Sequence, residues 1–97
     1  MADVPSATSL PGEDLILQGL RDLDAGVESV EALLVSIGAP RLRSVGVAVP
    51  ESFPGPEDRL YAMLSEEHGD AAHSRYNALI RRLVSFERAA ASPGADA

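Results

Sequence analysis

The sequence predicts an all-α fold: a small helical bundle built on two long amphipathic helices plus one or two short ones. Two runs of apolar residues carry this expectation. Ile16, Leu20, Leu23, Val27, Val30, Leu34 and Ile37 recur at spacings of 4 and 3, and so do Ala72, Tyr76, Leu79, Leu83, Phe86 and Ala90. That rhythm places the side chains on one narrow stripe of an α-helix, the pattern that helix-on-helix packing requires. A third observation is the Pro- and Gly-rich stretch between the runs, which separates them into distinct elements.

The first helix is expected over residues 13–37. Glu13 and Asp14 lie in its first turn, where acids complement the helix dipole. Asp24-Ala25-Gly26 leaves two readings open. A helix ends there with Gly26 as its cap and a second begins at once, or a single helix of roughly 37 Å, at 1.5 Å per residue, continues to Ile37. The apolar phase runs through Gly26 without slipping, which favours the single helix, bent at that point. Gly19 and Gly26, seven apart, mark a side where another backbone approaches closely. Gly38 and Pro40 then end the element.

Residues 38–56 read as irregular. Pro40 suits the start of a short turn, and Val45, Val47 and Val49 alternate like a brief extended piece. Pro54-Gly55-Pro56 is a loop signal, and Pro56 with Glu57 and Asp58 opens a helix over 57–68. Gly69 breaks it. The last helix is expected over 70–91, with Asp70 as N-cap. Residues 1–11 read as a flexible arm and 92–97 as a disordered tail, leaving 12–91 as one helical domain. Two long helices alone leave each stripe half wet. The helix at 57–68 must supply the third wall, or a second copy of the chain must, so a homodimer is expected.

Ninety-seven residues support one domain with a small core. The chain has no Cys, which removes disulfides and thiolate chemistry. The first dozen residues lack a secretory pattern and no apolar run reaches membrane length, so a cytoplasmic protein without a membrane association is expected. Net charge is −7 and unevenly placed: residues 1–37 hold −6, residues 57–70 hold −4 and residues 71–97 hold +2. All eight basic residues are Arg. The acidic balance disfavours general binding to phosphate backbones.

No catalytic arrangement stands out. There is no nucleophile elbow, no phosphate loop with Lys and no helical zinc motif. Arg59, the nearest Arg before a His, lies nine residues ahead of His68, outside the Arg-x(4–6)-His spacing of helical ribonucleases. His68 and His73, with Asp70 between them, are the candidate metal ligands. Their spacing of five across Gly69 matches no helical pair, so two surface imidazoles at a helix junction is the simpler reading. Tyr76 lies on the stripe with its hydroxyl at an edge, and Asn77, a poor helix former, calls for a hydrogen bond to the 39–56 segment. Glu28-Ser29-Val30 resembles the Asp-Ser-Leu start of the second helix in acyl carrier proteins, where the Ser carries phosphopantetheine. The likeness covers about seven residues, with Glu for Asp and Val for Leu, and it places Ser29 within a continuous helical phase, so no family and no cofactor are assigned from it.

The expected function is therefore non-enzymatic: a small acidic helical protein that binds another protein, with self-association. The docking surface for a basic partner is the acidic face Asp14, Asp22, Asp24, Glu28 and Glu31. The alternative is a nucleic-acid or phosphate-ligand site built from Arg75, Arg81, Arg82 and Arg88, with Arg41 and Arg43 nearby. Arg75 and Arg82 share one helix face, and Arg81 and Arg88 share another. An enzyme with a site near His68, Asp70 and His73 is the remaining option.

Overall fold

The structure is a computed structural model that describes residues 10–91. It is all-helical, and no strand occurs among the described residues. Helix α1 spans Glu13–Asp24, α2 Val30–Ser44, α3 Pro56–His68 and α4 Ala72–Ala90, with a 3₁₀ turn over Gly69–Ala71 between the last two. No helix among the described residues is long and apolar enough to cross a membrane.

The expected single helix over 13–37 is two. Gly26 takes a positive φ of 74°, which a residue with a side chain resists. The Gly26 N–H donates to the Leu23 carbonyl at 3.0 Å and the Val27 N–H to the Asp22 carbonyl at 2.7 Å. This is the Schellman pattern that closes a helix C-terminus. Three residues later Ser29 opens α2, its hydroxyl accepting the Ala32 N–H at 3.0 Å and donating to Asp22 Oδ2 at 2.6 Å. Val27, which kept the apolar phase intact on paper, is 48 % exposed. Stop and start chemistry outweighed periodicity. Ser29 thus lies at a helix start and not inside a helix, with its hydroxyl engaged in capping.

The second correction is at Pro40, which lies inside α2 rather than opening a turn, so the irregular segment is 45–55 and not 38–56. Pro40 denies the helix one backbone donor. Burial of Ala39 and Leu42 on either side of it, at 2 % and 0 % exposure, offsets that loss. The alternating valines form no strand; Val47 and Val49 pack half-buried against the core. Ser36 fastens the segment, its hydroxyl donating to the Ala32 carbonyl and accepting the Phe53 N–H at 3.2 Å.

Helix α2 occupies the middle and touches α1, α3 and α4. Ala32, Leu33, Leu34 and Val35 are all fully buried, which one stripe cannot achieve and a surrounded helix can. Gly19 lets α1 close on it: a β-carbon there would overlap the Glu31 carbonyl and the Val35 side chain. On α4 the predicted stripe holds, with Ala72, Leu83 and Phe86 buried and Tyr76, Leu79 and Ala90 half-buried. The stripes therefore close within one chain, and burying them needs no second copy.

The domain edges shift slightly. Leu10, expected in the arm, packs on the core, and its N–H donates to Glu13 Oε1 at 2.8 Å. Residues 1–9 and 92–97, which include the rest of the expected arm and tail, lie outside the described residues. Ala71 and not Asp70 precedes α4, and no side chain caps that helix.

Candidate partner-binding groove

A surface groove of about 340 Å³ runs where the start of α2, the end of α3 and the first half of α4 meet. Val30, Leu64 and Leu79 line it, and they belong to or pack against the buried core cluster. Its charges come from Glu31 on α2, Glu67 and His68 on α3, and Arg75 and Arg82 on α4. Arg75, Ala78 and Arg82 fall on one flank of α4 because residues three, four and seven apart share a helix face. The groove thus unites one acid from the expected acidic face with two of the four arginines of the expected anion site.

Three of the remaining acids are tied into the fold. Asp22 accepts hydrogen bonds from Gln18 Nε2 at 3.0 Å and from Ser29 Oγ. Asp14 pairs with Arg82 at 3.7 Å, bridging α1 and α4. Glu28 accepts both prongs of the Arg59 guanidinium, at 2.7 and 2.9 Å. Those hydrogen bonds, with the Arg59 charge, hold the Glu28 carboxyl below the usual carboxylate range and push Arg59 up. Asp24 is exposed at the end of α1. The five acids therefore do not form one free surface.

The arginines divide as their spacing predicts. Arg81 and Arg88 lie with Ile80 and Val84 on a different part of α4 from the groove. Arg43 donates to the Val49 and Pro50 carbonyls and fastens the 45–55 segment. Arg41 flanks a crevice between α2 and α4. An extended phosphate chain tracking from Arg75 to Arg82 would meet Glu31, Glu67 and Asp14 on the way.

The histidines do not converge. His68 Nε2 lies 3.6 Å from Glu67 Oε1 beside the groove. His73 is exposed one turn before Asn77, and its Nε2 is 3.2 Å from Asn77 Nδ2. Asn77 thus finds its partner one turn back on α4, not in the 39–56 segment. No group of three or more potential metal ligands occurs among the described residues. Tyr76 stacks obliquely on Tyr61, with centroids 5.8 Å apart, and burial plus Glu57 and Asp58 push its phenol up.

Sequence reasoning missed one group. Glu87 is 7 % exposed in the crevice between α2 and α4, and its carboxylate lies over Gly38. Burial pushes its carboxyl up, with Arg41 opposing from a distance. The available signal was its place one residue after Phe86, at the margin of the stripe. No family model, no characterised protein and no solved structure matches the chain.

Proposed function

We propose that this chain is a protein-binding module, and that the groove between α2, α3 and α4 receives a helix or strap of another protein. The observation that supports this most is the groove's composition. An apolar floor of Val30, Leu64 and Leu79 is ringed by two acids and two arginines. A mixed rim of this kind orients a partner through complementary charges while the floor provides the apolar contact. A uniform polyanion has less support, because carboxylates stand among the arginines.

The test compares wild type with an Arg75→Glu/Arg82→Glu variant as bait in native extract, with circular dichroism confirming equal helicity. A stoichiometric protein retained by wild type and lost by the variant supports the proposal. Identical retention by both overturns it. Retention of RNA that collapses with added salt would favour the nucleic-acid reading instead.

A further inference from the structure

The groove carries its charges on opposite walls. Both of its arginines, Arg75 and Arg82, stand on α4, while both acids stand across the apolar floor, Glu31 on α2 and Glu67 on α3. The two walls do not pair with each other. Among the described residues the side chains of Arg75 and Glu31 make no hydrogen bond or ion pair, and Glu67 approaches only His68 of its own wall. Arg82 lies 3.7 Å from Asp14 of α1, but those side chains are 53 % and 82 % exposed, so the pair holds the guanidinium only weakly. Ala78, exposed about one turn from each arginine, leaves a gap in the basic wall where another backbone can approach.

Given that the groove is a docking site, on which this rests, the walls specify the occupant. An extended segment would lay unpaired backbone N–H and C=O groups on the apolar floor, and no strand occurs among the described residues to pair with them. A helix satisfies its own backbone and offers side chains at i, i+3 or i+4, and i+7. Arg75 and Arg82 are seven residues apart, about 10.5 Å along the axis, so acids seven apart on a helix lying along α4 meet both. The other flank of that helix then lies against Glu31 and Glu67 and must be basic. Such a helix fits in one direction only, because reversing it sets acid against acid and base against base. We propose that the groove takes an amphipathic helix of another protein, with an apolar stripe, acids along the flank facing α4, and lysines or arginines along the flank facing α2 and α3.

Fluorescence anisotropy of stapled helical peptides with the full chain reads this directly, at physiological salt, where distant charges are screened. Three peptides share one leucine stripe and differ in their flanks: glutamate on one and lysine on the other, lysine on both, or glutamate on both. The two-signed peptide should bind wild type at least about fivefold tighter than either control. Against Arg75→Glu/Arg82→Glu the order should change, with the all-lysine peptide tightest and the two-signed one weakened at least about tenfold. Glu67→Arg, at an exposed position, should weaken the two-signed peptide about threefold or more. Circular dichroism confirms that each variant folds; the two wall reversals change exposed positions on different helices, so either decides the matter if the other misfolds. Failure of the two-signed peptide to bind wild type overturns the proposal, as does a control that binds as tightly or a ranking that neither reversal changes. Ala78→Gln narrows the groove without altering its charge and separates the two readings. Binding lost on that substitution but indifferent to both reversals overturns the two-signed partner and leaves the groove as a docking site. Binding indifferent to all three substitutions removes both.

Discussion

Arg59 and Glu28 join two turns far apart in the chain. Nη2 reaches Oε1 at 2.7 Å and Nε reaches Oε2 at 2.9 Å, so the first turn of α3 is clamped to the residue before the α2 cap. The same guanidinium stands 5.7 Å from the centre of the Phe53 ring, a cation–π geometry that restrains the end of the 45–55 segment.

This clamp sets a pH dependence. A carboxyl held below its unfolded value contributes stability that is present above that value and lost as pH falls through the lowered one. Wild type should therefore exceed Glu28→Gln in urea resistance at neutral pH, and the gap should close in acid. Both side chains are partly exposed, at 41 % and 33 %, so added salt should also shrink it. A gap that is constant with pH would contradict the geometry. So would a Glu28 carboxyl that titrates by NMR at the ordinary value.

Glu87 should behave in the opposite sense. Its carboxyl is pushed up by burial, so the stability it contributes is complete below its unfolded value and lost as pH rises through the raised one. Glu87→Gln keeps the shape and removes the charge. The variant should melt higher than wild type at neutral pH, with the two converging in acid. A variant less stable than wild type at neutral pH would show that the carboxylate has a favourable partner within the fold.

Gly19→Ala separates helix propensity from packing. Propensity alone favours Ala by about 1 kcal/mol. The new β-carbon would instead overlap the main-chain carbonyl of Glu31 and the buried Val35, and neither can swing aside. A net loss of about 1–3 kcal/mol is expected from overpacking, read as a lower urea midpoint with unchanged slope. A stabilised variant would mean that α1 stands further from α2.

The stripe on α4 was legible because it packs one face on a neighbour and leaves the other wet. Leu83 and Phe86 are buried where the 4-3 rhythm puts them. The same rhythm misled at Val27, since a helix stop followed by a helix start happened to preserve the phase. Gly26 and Ser29 carried the contrary signal, three residues apart. Leu33, Val35 and Leu42 fell off the stripe yet are fully buried, because a helix surrounded by others has no wet side for a pattern to reveal. The groove was half visible. The seven-residue spacing of Arg75 and Arg82 put them on one face, but that Glu31 and Glu67 join them depends on how α2 and α3 cross, which charge spacing along the chain does not encode. Glu87 was hidden by its chemistry, since a lone acid near a helix end reads as solvated.

With α2 as the hub, the molecule has no natural seam along which to come apart. Removing α1 or α4 would bare part of the same rod, so neither half of the chain should hold its shape alone. The backbone amides of Leu33, Leu34 and Val35 should then be among the slowest to trade hydrogen for deuterium, released only when the whole domain melts at once.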